Sequence, residues 1–302
     1  MRQVMLAAFT LLLMAAAGVP AAETPNASDT APTTQAKPNA PRPLPKGEWL
    51  DPNHDAPNGT QYKTFTSKVL GRDVSYLVYL PPGYEEGTAR YPVIYWLHGH
   101  GGNQRAGALM FVPHLDAAIK ADVLPPVIAV CVNGMGWGSY VDLPNGSRPI
   151  ESVIIKDLIP HIDQTYRTNP MREGRMIEGF SMGGFGAGHL GFKYPELFGT
   201  VVINSGALAD ATWRKSEEHP RELARKNAEA LRKTHIRIGC GSLDDLLPKN
   251  QELHDVLTQL KIKHDFEVVP DVAHNSALYY EKLGTKVFEF HRKSLEDLAK
   301  DQ

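Results

Sequence analysis

Apolar residues occur along this chain in short runs, separated by polar turns and by stretches with helical spacing. From Thr64 to Tyr79 apolar and polar positions alternate, and the pattern stops near Pro81-Pro82-Gly83. That period of two predicts antiparallel strands ending in a turn. Six apolar runs follow: Val93–Leu97, Val127–Val132, Arg175–Phe180, Thr200–Asn204, Ile236–Cys240 and His264–Val269. Each has the length of one buried strand. Between them, Ser152–Tyr166 carries Ile155, Leu158 and Ile162 on one helical face, and Glu252–Lys261 does the same with Leu253, Val256, Leu257 and Leu260. Strand and helix in alternation predict an α/β fold. Its central sheet should be mostly parallel and flanked by helices, with the antiparallel strands at the N-terminal side.

The start of the chain reads differently. Arg2 precedes a nearly unbroken apolar run from Val4 to Ala17, and the small residues Ala21 and Ala22 follow. This predicts a secretory signal peptide over residues 1–22 and an exported protein, periplasmic or extracellular. A membrane anchor would need about 20 apolar residues, more than this run supplies. Residues 23–50 are rich in Pro, Ala, Thr and Asn and lack periodicity, so they are expected to form a disordered lead-in. One globular domain should occupy residues 51–302, in which no further stretch is long and apolar enough to span a bilayer.

Charge narrows little: the formal net charge of -2 carries no basic bias of the kind nucleic-acid binding requires. The two cysteines, Cys131 and Cys240, end strands that the expected order separates by four spacings, on the order of 19 Å. A disulfide needs Cα atoms within about 7 Å, so two buried free thiols are expected.

The candidate chemistry centres on Gly179-Phe180-Ser181-Met182-Gly183. This G-x-S-x-G follows a predicted strand and opens a helix-compatible stretch, the strand–turn–helix setting in which a serine nucleophile is lifted to the top of an α/β-hydrolase sheet. His98-Gly99-His100-Gly101-Gly102 follows another strand and fits an oxyanion-hole loop. Its donor is expected to be the His100 N–H, ahead of Gly101, with the Met182 N–H as the second. Zinc on His98 and His100 would need a third ligand that the spacing does not supply, and no metal or organic cofactor is expected. In the chain order Ser…Asp…His the base is expected at His274, on the loop after the last strand, ahead of His264 and His291. The acid is expected on the loop after Cys240, at Asp244 ahead of Asp245, with Asp271 a distant third. The Asn133–Arg148 segment leaves the carboxyl end of a strand, where such sheets bind ligands, so Trp137 and Tyr140 are candidate substrate-binding residues. A packed surface loop is the alternative.

With these residues in place, the sequence resembles the esterase-D-like branch of the α/β hydrolases. That branch includes feruloyl and acetyl-xylan esterases, S-formylglutathione hydrolases, enterochelin esterases and mycolyltransferases. The matching stretches are Val78–Arg90 with its Leu80-Pro81-Pro82-Gly83-Tyr84, Tyr91–Gly102, Asp157–Asp163, Gly179–Gly184, Tyr194–Phe198 and Gly241–Asp244, together with His274. The resemblance implies an α/β-hydrolase fold and ester hydrolysis through an acyl-enzyme. Its substrate would be a small-molecule or carbohydrate-linked ester. The resemblance also favours Asp244, because the acid of these relatives follows a Cys-Gly-x-x lead. Three departures bear on the substrate. His100 stands where relatives often carry an apolar residue, Asn275-Ser276 follows His274 in place of an aromatic, and the cysteine-containing loop of the formylglutathione hydrolases is absent. Acyl transfer to an alcohol or sugar, and a binding protein without turnover, are the competing expectations on the same scaffold.

Overall fold

The computed structural model describes residues 48–211 and 215–300. The predicted signal peptide and residues 23–47 of the lead-in lie outside the described residues. Eight strands form one sheet: β1 (Thr60–Ser67), β2 (Arg72–Tyr79), β3 (Val93–Leu97), β4 (Ile128–Val132), β5 (Arg175–Phe180), β6 (Thr200–Asn204), β7 (His235–Gly241) and β8 (Asp265–Val269). Their order is β1-β2-β4-β3-β5-β6-β7-β8. β2 runs antiparallel to both β1 and β4, and every other neighbouring pair is parallel. The helices are α1 (Arg105–Met110), α2 (Val112–Lys120), α3 (Ile150–Val153), α4 (Ile159–Thr165), α5 (Met182–Lys193), α6 (Pro220–Lys226), α7 (Ala228–Leu231), α8 (Leu247–Gln259), α9 (Ser276–Leu283) and α10 (Glu289–Lys300).

The apolar runs are strands because both faces of the sheet are covered. All five residues of β3 are buried. Val93, Tyr95 and Leu97 belong to one core, while Ile94 and Trp96 belong to the other, with Phe111, Leu115 and Tyr280. A strand buried on both faces favours apolar side chains on both, which erases the period of two. β8, at the sheet edge, keeps more exposed positions.

The predicted helix over Ser152–Tyr166 is interrupted. Residues Ile154–Leu158 form a π-helical turn between α3 and α4. Pro160 has no N–H to give the Lys156 carbonyl, and a wider turn beside such a gap is the usual accommodation. The change rotates the face, so that Ile154 is buried while Ile155 is only half-buried.

Cys131 and Cys240 are buried and unpaired, on β4 and β7, with three strands between them. The end of the predicted lead-in, by contrast, is part of the domain. Trp49 is buried in the core, and its carbonyl accepts hydrogen bonds from Asn133 Nδ2 (2.9 Å), Ser75 Oγ (3.2 Å) and the Ser75 N–H. A single indole buries enough apolar surface to order the residues beside it. The domain therefore begins before residue 51. No described helix is long and apolar enough to cross a membrane.

α3 and α5 are joined by a buried charge cluster. His189 Nδ1–H donates to the Glu218 carbonyl at 2.8 Å, and its Nε2 lies 2.6 Å from a Glu151 carboxylate oxygen. Lys193 Nζ sits 2.8 Å from both the Glu151 and the Glu218 carboxylates. Glu151, His189 and Glu218 are the one group of three metal-capable side chains found together among the described residues, and Lys193 supplies the cation between its carboxylates. Burial alone would raise the Glu151 pKa. Hydrogen bonds from His189, Lys193 and Tyr194 outweigh it and hold the carboxyl down at about 2. A carboxyl depressed on folding stabilises the native state above its unfolded pKa, and that contribution is lost as pH falls from about 4.5 toward 2. Urea melts at stepped pH should show this acid loss in wild type. Glu151→Gln should be less stable at pH 7 and show a shallower fall over the same window.

Candidate active site

The connection after β3 runs to β4 on one side and the connection after β5 to β6 on the other, and loops at such a switch point part to leave a crevice. Pairing of Leu97 with Gly179 brings the loop after β3 beside the turn after β5. The two sequence motifs therefore meet in space. Ser181 occupies that turn at φ 60° and ψ -117°, a conformation that non-glycine residues rarely adopt. It is held by its own N–H donating to the Asn204 carbonyl (3.0 Å), and by the Phe185 and Ala207 N–H groups donating to its carbonyl (3.0 and 2.9 Å). The turn admits no side chain at its flanks. A Cβ on Gly179 would lie 2.3 Å from the Gly183 backbone, and one on Gly183 would lie 1.9 Å from the Leu97 carbonyl oxygen.

His274, on the loop between β8 and α9, reaches across to the serine. Its Nε2 accepts from Ser181 Oγ at 2.9 Å, and its Nδ1–H donates to Asp244 Oδ2 at 2.8 Å. Asp244 follows β7, and its side chain is fully buried. Burial pushes the carboxyl pKa up, but hydrogen bonds from His274 and from the Leu246 N–H (2.9 Å) bring it below the ordinary carboxylate value. Asp245 is exposed, and α8 has no side-chain cap at its start. Asp271 donates its N–H to Ser242 Oγ and lies outside the triad of contacts. His264 pairs with His254, and His291 is buried against Glu178, so neither competitor reaches Ser181.

The glycine-rich loop leaves one candidate donor clear. The Gly101 N–H donates to the Gly136 carbonyl (2.6 Å) and the Gly102 N–H to the Gly99 carbonyl (3.2 Å). The His100 N–H has no acceptor among the described residues. Met182 is the first residue of α5, where a helix leaves its N–H groups unpaired and the helix dipole favours negative charge. Gly99 packs directly on Ser181, since a Cβ there would stand 3.5 Å from the serine Cβ. His98 is buried with both ring nitrogens engaged: Nδ1–H donates to the Gly99 carbonyl (2.8 Å), and Nε2 accepts from the Gly134 N–H (3.1 Å). Burial depresses its pKa to about 4 against the small opposing effect of the Gly99 bond, so it is neutral near pH 7 and serves as a brace between two loops.

The two aromatic candidates part company. Trp137 is half-buried and meets the exposed His100 ring edge-on, with centroids 3.6 Å apart, at the rim of the site. Tyr140 is fully buried and corrects the expectation that it binds substrate. Its ring fills the space against Gly134 and Gly186, and its hydroxyl donates to the His98 carbonyl at 3.0 Å. Asn204 is a site residue the sequence reading missed. Its carbonyl anchors Ser181, while its side chain bonds Glu178 (2.8 Å), Arg237 (2.9 Å) and Tyr279 (2.9 Å). Its place at the end of a buried strand, two residues before Gly206, was the available signal. Next to Asp244 in the loop after β7, Leu243 is exposed.

Comparison with known proteins is consistent in direction. The model of a family described as "Putative esterase" matches residues 67–298. An esterase of Mycobacterium tuberculosis is 33% identical over 160 residues, which is 52% of this chain and 34% of that protein. An endo-1,4-beta-xylanase/feruloyl esterase of Xylanibacter ruminicola is 31% identical over 212 residues, 65% of this chain and 26% of that protein. The chain thus spans about a third or less of the length of these two relatives. Among solved structures, a ferulic acid esterase superposes with a TM-score of 0.71 at 23% identity, covering 80% of this chain and 100% of that one. A ferulic acid esterase from Anaeromyces mucronatus, solved with ferulic acid, gives 0.63 at 22% identity over 80% of this chain and 92% of that one. These likenesses establish the α/β-hydrolase fold.

The contact between Gly183 and Leu97 makes a specific demand. Gly183→Ala should lower stability by about 1–3 kcal/mol, the usual cost of forcing one methyl into a packed site. Its urea midpoint, read beside that of Gly87→Ala, where a Cβ would meet nothing closer than 4.0 Å on extended backbone, checks the contact itself.

Proposed function

Because the chain belongs to this esterase family, we propose that it is an exported serine esterase that cleaves carboxylic esters through an acyl-enzyme. The observation that carries the reading is the hydrogen-bonded line from Ser181 Oγ through His274 to buried Asp244, at 2.9 and 2.8 Å. In the first half-reaction Ser181 Oγ attacks the ester carbonyl and His274 Nε2 takes its proton. Asp244 accepts from Nδ1–H, which fixes the tautomer that leaves Nε2 free to act as base and stabilises the imidazolium that forms. The carbonyl oxygen becomes an oxyanion between the Met182 and His100 N–H groups, each donor of this kind being worth roughly 10²–10³ in rate. His274 then protonates the departing alcohol, and water repeats the sequence to release the acid and restore the serine. No step calls for a metal or cofactor.

The similarity to a feruloyl esterase and to ferulic acid esterases makes feruloyl esters the first acyl group to try. Hydrolysis of p-nitrophenyl acetate and of methyl ferulate is the direct test. Ser181→Ala should lower kcat by on the order of 10⁶ and abolish labelling by a fluorophosphonate probe. Asp244→Ala should cost on the order of 10⁴, while Asp245→Ala should keep near wild-type rates. An unlabelled serine in folded wild-type protein would sink the mechanism.

The apolar run at Val4–Ala17 supports export. N-terminal sequencing of the protein from a periplasmic or culture-medium fraction should begin at Ala22 or Glu23, and intact Met1 there would overturn this part of the reading.

A further inference from the structure

Beside the glycine-rich loop lies a second feature that the hydrolytic machinery does not use. A cleft of about 210 Å³ opens between residues 48–52 on one side and Gly101–Asn103, Gly136 and Trp137 on the other. Asp51 and Glu48 line it, and among the described residues no Lys, Arg or His side chain does. Asp51 is 2% exposed. Its Oδ1 accepts from the Asn53 N–H (3.1 Å), but its Oδ2 is buried with no hydrogen-bond donor among the described residues. The amide donors nearest to it are committed elsewhere, and the Trp49 indole N–H and Arg105 Nε are themselves buried without an acceptor among the described residues. Asn133 Nδ2 is given to the Glu48 and Trp49 carbonyls, and Gln104 Nε2 to Ser75 Oγ, the same oxygen that takes the Asp51 N–H. Gln104 Oε1 is likewise buried without a donor.

A buried carboxylate oxygen left without a donor is costly, and such an oxygen at a cleft wall is a place where a ligand's O–H or N–H gains most. The position is favourable too. Gly101 lies two residues beyond Gly99, which touches Ser181, and Trp137 at the cleft wall packs on His100. The acidic wall precedes the family-matching stretch 67–298, so it is contributed by this chain's own lead-in.

We propose that this cleft is a substrate subsite that takes a hydrogen-bond-donor group, a hydroxyl of a polyol or a protonated amine, with Asp51 as acceptor and Trp137 as the ring beside it. The proposal rests on the esterase reading and names a feature of the substrate for that same site.

The test compares kcat/KM for methyl 6-O-acetylglucoside, its 2-amino-2-deoxy counterpart and its fully O-methylated analogue, with p-nitrophenyl acetate as reference. Wild type should prefer the donor-bearing glucosides over the methylated one by about tenfold or more, the worth of one charge-assisted hydrogen bond. Asp51→Asn and Asp51→Ala should shrink that ratio to about twofold. A larger gain for the amino sugar assigns the group as ammonium, and equal gains assign it as hydroxyl. Hydrolysis of p-nitrophenyl acetate without discrimination among the glucosides overturns the subsite and leaves the esterase reading standing. So does an equal fall on every substrate in Asp51→Asn, which would mark a structural role. If no ester is turned over, the esterase reading fails, and the subsite is decided by binding. Methyl glucoside or methyl glucosaminide should then shift the Trp137 indole resonance in Ser181→Ala protein, and no shift overturns the proposal. Should Asp51→Asn fail to fold, the discrimination shown by wild type decides.

Discussion

The site depends on the contact of three backbone segments at the carboxyl ends of the neighbouring strands β3 and β5. Gly183 lies against the Leu97 carbonyl with no room for a methyl group, and Gly99 presses on Ser181 from the loop beyond. This closeness puts the loop donors and the first turn of α5 on the same side of the serine. It also keeps Ser181 in a backbone conformation that costs on the order of 1–3 kcal/mol and persists only because its surroundings determine it. The hydrogen bonds to Asn204, Phe185 and Ala207 supply that determination.

Beneath the turn, a buried polar network gives the same place rigidity from below. Glu178 accepts from Asn204 and from Tyr280 (2.7 Å), and lies 2.8 Å from His291 Nε2. Asn204 accepts from Arg237 and Tyr279, and Arg237 reaches Glu267 at the edge of the sheet (2.6 Å). Tyr279 and Tyr280 belong to α9, the helix that follows His274. One network therefore holds the strand that carries the nucleophile and the helix that anchors the base. Arg237 and Glu178 are buried beside half-exposed Glu267 and buried His291, and removing a partner would leave a buried group unpaired in the low-dielectric interior, which is the expensive case.

The mouth of the site is asymmetric in chemistry. The loop after β7 carries exposed Leu243 next to Asp244, whereas the oxyanion side carries exposed His100 against half-buried Trp137, with the 48–52 segment across a cleft from Trp137. The polar side depends on long-range contacts: Asn133 and Ser75 hold the Trp49 carbonyl, and the Trp49 ring enters the core. Buried His98 braces the neighbouring loop while remaining neutral near pH 7, so this wall keeps its shape when exposed histidines titrate.

What the sequence determined by itself follows from local physics. A strand covered on both faces is mostly apolar, so β3, β5 and β6 begin and end where their runs do, with Glu178 and Asn204 admitted because they are hydrogen-bonded to each other. A sharp turn between strand and helix needs small flanking residues, so Ser181 stood out, and chain order then pointed to His274 and Asp244. Tertiary structure decided the rest, because the deciding contacts join residues far apart in sequence. An aromatic on a loop after a strand reads alike whether it faces solvent or core. Only the space left by Gly134 and Gly186 turns Tyr140 inward, while nothing equivalent draws in Trp137. Averaged composition hid Trp49 within a polar lead-in, and its burial became visible only once the sheet offered a surface to receive it. The choice between Asp244 and Asp245 likewise rested on which carboxylate the folded loop buries toward the imidazole, a matter of direction that adjacent identical residues cannot encode.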